Sequence, residues 1–112
     1  MSDIIAERRF QTRNDDGSIG EITIKVNKPY VDPTRDDSWL CQIVIEESGS
    51  EYARVVDGAD SLQALKHAVR LVQVHIRNFD MLRKGKITWL GTDDLLIDEV
   101  YSPSELSLTE GT

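Results

Sequence analysis

The sequence predicts an α+β domain: an antiparallel β-meander of four to five strands with one long helix packed across one face. Three observations carry this. Stretches of alternating apolar and polar residues fill the first half of the 112-residue chain. One segment with helical periodicity follows, from Asp60 to Phe79, and clusters of turn formers separate the pieces. Strands first and then a helix point to α+β and not to alternating βαβ units.

The first strand is expected over residues 4–13. Ile4, Ala6 and Phe10 alternate there, with Arg8 interrupting the pattern. The second, over 19–28, is cleaner: Ile22, Ile24 and Val26 alternate with Glu21, Thr23 and Lys25, as a half-buried strand requires. Asn14-Asp15-Asp16-Gly17-Ser18 lies between them, so the two form a hairpin. Residues 29–38 contain two prolines and read as a loop. Trp39, Cys41, Ile43 and Ile45 give the clearest alternation in the chain, Ser48-Gly49-Ser50 reads as a turn, and Tyr52 to Val56 as a short fourth strand. Ile87 to Leu90 could add a brief fifth.

Asp60 suits the helix N-cap, because its carboxylate can accept from exposed N–H groups of the first turn. Gln63, three residues on, sits where a capping box places Glu or Gln. Leu62, Leu65, Val69, Val72, Ile76 and Phe79 recur at spacings of three and four. At roughly 100° per residue they form a stripe about 100° wide, which we read as the core-facing side. Burying each could contribute about 1.5–3 kcal/mol, most of it offset by the entropy of ordering the chain. The stripe is too short for a coiled coil. Lys66, His67, Arg70, Gln73 and Arg77 fall opposite. On the flank, Ala64, Ala68, Leu71, His75 and Leu82 widen the apolar arc to roughly 180°, more than one packed face needs. We therefore expect a further partner on the Ala68, Leu71, His75 and Leu82 side, either the C-terminal segment or a second subunit. Arg83 and Lys84 suit a helix C-terminus, with Gly85 as the stop.

This length predicts one domain, residues 1–91, able to bury a core without staples. Residues 92–112 read as an acidic C-terminal extension, partly ordered or folded back on the helix. A composition 39% hydrophobic and 29% charged fits an ordinary soluble protein. No apolar run approaches the ~20 residues of a membrane span. Met1-Ser2-Asp3-Ile4 lacks the features of a signal peptide, and a lone Cys41 cannot form an intramolecular disulfide. A cytoplasmic location follows as the expectation.

Charge is segregated. The net charge is −7, which argues against generic nucleic-acid binding. Residues 1–60 carry 7 basic and 13 acidic groups, residues 61–90 carry 6 basic and 1 acidic, and residues 91–112 carry no basic and 6 acidic. A basic stretch thus lies between two acidic ones. We expect residues 93–101 to fold back on the helix, placing Leu95, Ile97 or Val100 on the Leu71–Leu82 flank.

Motifs for chemistry are sparse. His67 and His75 point about 80° apart on the helix, unlike a zinc-binding HExxH pair; His75 fits an interface or a satisfied buried position. Cys41 shares a strand face with Trp39 and Ile43, and buried cysteine behaves as a small hydrophobe. Asp15 and Asp16, and Asp32, Asp36 and Asp37, cluster in turns without the spacing of a calcium loop; such residues commonly bond their own backbone. No P-loop, dinucleotide fingerprint or GxSxG elbow occurs. We expect no metal and no cofactor. Trp39 and Trp89 read as core anchors.

Pro29-Tyr30, the Trp39-Leu40-Cys41 strand, Gly58 with Asp60-Ser61-Leu62-Gln63-Ala64-Leu65, and Trp89-Leu90-Gly91 occur in an order that resembles an uncharacterised family of small bacterial α+β proteins. The resemblance spans about residues 4–91 and implies the same strands-then-helix fold. It implies no activity. Relatives of this pattern often finish soon after the Trp-Leu-Gly element, whereas here Asp93-Asp94-Leu95-Leu96 begins a longer acidic segment.

The functional expectation is a non-enzymatic protein-interaction module, with Lys66, Arg70, Leu71, His75, Arg77 and Leu82 as its interaction surface. A homodimer by helix flank or free sheet edge, or a protein partner in the manner of small acidic immunity or antitoxin proteins, would suit it; no nucleic acid and no membrane are expected as partners. The alternative is a small-ligand-binding or enzymatic domain with a pocket between helix and sheet, faced by His75 and Cys41.

Overall fold

The computed structural model describes residues 3–82 and 86–90. Its strands are β1 (Ile4–Arg13), β2 (Ile19–Asn27), β3 (Tyr30–Val31), β4 (Trp39–Glu47) and β5 (Ser50–Gly58), followed by helix α1 (Ser61–Leu82) and β6 (Ile87–Thr88). All pairings are antiparallel, and β1, β2, β4 and β5 form the expected meander. Short β3 lies inside the segment read as a loop. It pairs with Trp39 and Leu40, beyond the reach of β2 along β4. β5 runs from Ser50 and is longer than the expected strand. β6 returns to the free edge of β1, Thr12 opposite Ile87, so the helix lies between strands and not at the end of the sheet order.

The hairpin turns follow from residue chemistry. Gly17 has φ +88°, a left-handed conformation open to glycine at little steric cost. Asp16 Oδ1 accepts from the Ser18 N–H and hydroxyl at 2.9 and 2.6 Å. Between β4 and β5, Ser48 and Gly49 both have positive φ, 52° and 80°. With Glu47 opposite Ser50, this is a two-residue loop whose positive angles match the twist of the flanking strands.

Register places Phe10 and Thr12, Ile22, Ile24 and Val26, and Cys41, Ile43 and Ile45 on one face. These are buried and form the core with Ala64, Ala68, Ile76, Phe79 and Ile87. The opposite face is polar: Lys25 donates to Glu46 at 2.7 Å across strands, and Asn27 Nδ2 donates to Gln42 Oε1 at 2.8 Å. One face dry and the other wet is the usual state of an antiparallel sheet carrying a single helix. Trp39 and Trp89 are half-buried against the core, as expected of anchors.

The N-cap forms as the sequence indicates. Asp60 Oδ1 accepts from the Gln63 N–H at 2.7 Å. Gln63 Oε1 reaches back one residue further than a standard capping box and accepts from the Ala59 N–H at 2.6 Å. The helix runs three residues past Phe79, to Leu82. The expected C-terminal signals Arg83, Lys84 and Gly85 lie outside the described residues.

The rotation of the helix differs from the expected one. Ala64 and Ala68 are fully buried, whereas Leu62 is 73% and Val69 36% exposed. The core-facing side is thus centred near Ala68, Val72 and Phe79, rolled away from the Leu62–Val69 edge. The physical reason is the connection. Only Ala59 and Asp60 separate β5 from α1, and Gly58 packs directly on the backbone of Gln63 and Ala64. His67 adds a second tie: its Nδ1–H donates to the Asp57 carbonyl at 2.7 Å. A helix held this tightly must present small side chains to the sheet, and Ala64 and Ala68 are the small ones.

Candidate functional site

This roll divides the expected interaction surface in two. Leu71 and His75 are half-buried and turn toward the sheet. His75 meets the Tyr52 ring edge-on, with centroids 6.2 Å apart, and lies near Phe79 at the same separation. The Ala68, Leu71 and His75 side therefore already has its partner, the β5 side of the sheet; Leu82, at the helix end, is 82% exposed. Lys66 and Arg77 are exposed and Arg70 half-buried on the other side of the cylinder. Leu62 and Val69 form an exposed apolar edge, and at about 100° per residue it adjoins those three cations.

The cause is where the helix sits. α1 lies over β5 and β4 and barely reaches β2. Its far side leaves a groove of about 220 Å³ above β1 and β2. The walls are Ala6, Glu7, Arg8, Ile24 and Val26 from the sheet and Val69, Val72, Gln73 and Ile76 from the helix. It is mostly apolar, with Glu7, Arg8 and Gln73 as its polar members. The Arg8 guanidinium stacks 4.1 Å above the Trp89 ring, a cation–π contact that holds the charge at the groove wall. Gln73 Oε1 is shielded from water and accepts no hydrogen bond from the described residues.

Neither candidate for chemistry lines this groove. Cys41 is fully buried, its thiol donates to the Asn27 carbonyl at 3.3 Å, and burial pushes its pKa up. A nucleophilic cysteine needs the reverse, an exposed site that favours thiolate. Burial also lowers the pKa of His75, with Arg54 adding to the effect, and its ring meets Tyr52 and Phe79. Among the described residues, Cys41 and His75 line none of the grooves on the sheet and helix. The acidic turns serve local structure: Asp32 Oδ1 accepts from the Thr34 N–H and hydroxyl at 2.9 and 2.7 Å, and Asp16 caps Ser18 in the same way. These bonds hold both carboxyls below their usual pKa. No cluster of three or more metal-binding side chains occurs among the described residues.

Arg8 and Gln73 did not stand out as site residues in sequence. One signal was present for Arg8: it breaks the alternation of β1 at an inward position, and the structure shows that this position opens on a groove.

Residues 6–97 match a family described as a domain of unknown function, DUF6968. The chain belongs to this family. The family unit thus covers the whole described fold except its first residues and continues through Ile97. No curated protein and no solved structure matches the chain. Among the described residues no helix is long and apolar enough to cross a membrane. The acidic extension, 92–112, and its expected fold-back lie outside the described residues.

Proposed function

We propose that this DUF6968 member is a non-enzymatic, cytoplasmic protein-interaction module whose binding surface is the outward side of α1 and the groove beside it. The observation that carries this is the pairing of an exposed apolar edge, Leu62 and Val69, with Lys66, Arg70 and Arg77. Apolar surface rimmed by charge, as Leu62 and Val69 are here, is the kind of patch that marks an interaction site. Cations beside it select a partner segment that is acidic and carries apolar side chains, because complementary charge steers encounter and apolar burial holds the complex. Two copies meeting through this face would bring like charges together, so a different chain fits better than a homodimer.

The test is site-specific photo-crosslinking in the native cell. A benzophenone side chain at Leu62 should trap an acidic protein that the same group at Asp36, in the β3–β4 loop, does not. Lys66→Glu with Arg77→Glu should abolish the adduct. Equal trapping at both positions, or an adduct made only of this chain, would overturn the reading.

A further inference from the structure

We infer that β5 is a dimerisation edge: two copies of the chain pair β5 against β5, antiparallel about a two-fold axis at Ala53, and continue one sheet across both. The inference stands apart from the α1 surface proposed above, which such a dimer leaves open.

The first observation is the edge itself. Ile43 and Ile45 of β4 pair with β2 and also with β5, so the two strands flank β4 and β5 ends the sheet. Among the described residues β5 has no second neighbour. It is 9 residues long, keeps unbroken register with β4, and contains no proline and no lysine. Short length, bulges, proline and lysine are the devices that keep an edge from pairing, and β5 has none of them. At the opposite end of the sheet, β6 is only 2 residues long. Tyr52 and Val55 stand exposed along the β5 edge.

The second observation is register. Glu47 and Ser50 close a two-residue loop, so they exchange both backbone bonds, and every second pair along β4 and β5 does the same. Glu51, Ala53, Val55 and Asp57 therefore direct their N–H and C=O groups outward. Only registers that set these residues against one another make a ladder. Centring on Arg54 opposes Arg54 to itself and Glu51 to Asp57, two kinds of like-charge contact. Centring on Val55 needs the Asp57 carbonyl, which His67 already holds at 2.7 Å. Centring on Tyr52 engages only residues 50–54 and leaves Val55 bare. Centring on Ala53 avoids all three faults. On the polar face it sets Glu51 against Val55 and Ala53 against its own copy, with on the order of six backbone hydrogen bonds. Ile45 and Ile43, the β4 partners of Tyr52 and Arg54, face the core, so Tyr52 and Arg54 share the helix side. There Tyr52 meets Arg54 of the second copy, a cation–π pair made twice.

The third observation is the position of α1. A two-fold through paired antiparallel strands is perpendicular to the sheet, so both helices fall on one face. α1 lies over β5 and β4, which places its axis about one strand spacing, roughly 5 Å, from the two-fold. The two helices then stand about 10 Å apart, the distance at which helices pack. At about 100° per residue, the sides that meet carry Leu71, Val74, His75, Asn78 and Leu82 and no Lys, Arg, Asp or Glu, while Lys66, Arg70 and Arg77 point away. The sheet covers the base of this side, but Val74 and Leu82 are exposed. Unlike the cationic side, it can be shared by two copies without like charges meeting.

The experiment uses the full chain. Light scattering should give twice the mass of one chain at high concentration, falling toward a single chain on dilution. Val55→Glu faces Glu51 of the second copy and should raise the dissociation constant about ten-fold, through two like-charge contacts per dimer. Adding Glu51→Lys converts each contact into an ion pair and should restore most of the affinity. The double variant carries the same new glutamate, so its recovery also shows that the fold tolerates it. Ala53→Pro removes an outward N–H and spares the β4 ladder; it should give a monomer that keeps the amide spectrum of α1 and β4. Lys66→Glu with Arg77→Glu should leave the mass unchanged. A monomer at every concentration, a dimer indifferent to Val55→Glu, or a loss that Glu51→Lys does not reverse would each overturn the inference. So would dissociation by the Lys66 and Arg77 changes, which would move the contact to the cationic side of α1. The first three outcomes leave the crosslinking at Leu62 untouched, so the edge can fail while partner binding stands.

Discussion

A Cβ added to Gly58 would stand 2.4 Å from the backbone nitrogen of Ala64 and 2.9 Å from its Cα. The neighbouring atoms are backbone, so no flexible side chain can yield. Gly58→Ala should therefore force the helix start away from β5 and destabilise the domain by about 1–3 kcal/mol, the range of an overpacked core. Gly49→Ala is the informative comparison. Nothing lies within 4 Å of its added Cβ, and only its φ of +80° is unfavourable, which for L-residues costs about 1–2 kcal/mol. Urea unfolding should show that Gly58→Ala also perturbs amide shifts along the first turns of α1, while Gly49→Ala leaves them unmoved. A helix start undisturbed by Gly58→Ala would refute the close approach.

The helix cap makes a second, smaller claim. Asp60 accepts from Gln63, and Gln63 accepts for Ala59. Asp60→Ala should cost about 1 kcal/mol, as N-cap losses typically do. Asp60→Asn keeps the acceptor and should recover most of that loss. If Ala and Asn prove equal in urea midpoint, the carboxylate is not acting as a cap.

His75 gives a pH dependence of fixed sign. Burial, with Arg54 nearby, holds its folded pKa below the ordinary value of 6.5. The unfolded chain therefore takes up a proton first as pH falls, and stability rises with pH across that window. The contribution is fully present above about 6.5 and is lost as pH drops through that value toward the lowered folded one. Urea midpoints at pH 7.5 and 5.5 should differ, the acidic one being lower. His75→Phe keeps a ring against Tyr52 and should flatten the difference; an unchanged slope would assign it to other groups.

Much of this fold was legible in sequence because its signals are local. Alternation at Ile22, Ile24 and Val26, the turn at Gly17, and the cap at Asp60 each depend on a few neighbouring residues. The rotation of α1 was not legible, because it depends on a distant contact. Periodicity picks the large apolar side chains, Leu62 through Phe79; packing keeps Ile76 and Phe79 but at the helix start takes the smallest, since Gly58 and the two-residue link leave space there only for Ala64 and Ala68. Hydrophobicity cannot distinguish a residue that is buried because it is large from one that is buried because it is small. The groove was invisible for the same reason: it exists only because the rolled helix fails to cover β1 and β2. Its one trace was Arg8, an inward charge in an otherwise alternating strand.

That rotation is open to direct measurement, and periodicity and structure predict opposite results. If the expected stripe faced the sheet, Leu62→Ala would empty a core position at a cost of about 2–5 kcal/mol, and Ala68→Leu would be tolerated at its edge. With Leu62 73% exposed and Ala68 fully buried, the order reverses. Leu62→Ala should change stability by no more than about 0.5 kcal/mol, as surface substitutions do. Ala68→Leu should cost about 1–3 kcal/mol, because three added carbons meet a packed sheet. The two sites lie less than two turns apart on one helix, so propensity cannot account for the contrast: leucine and alanine are both good helix formers. A large loss at Leu62 with a small one at Ala68 would return the helix to the Leu62–Val69 orientation and close the groove above β1 and β2.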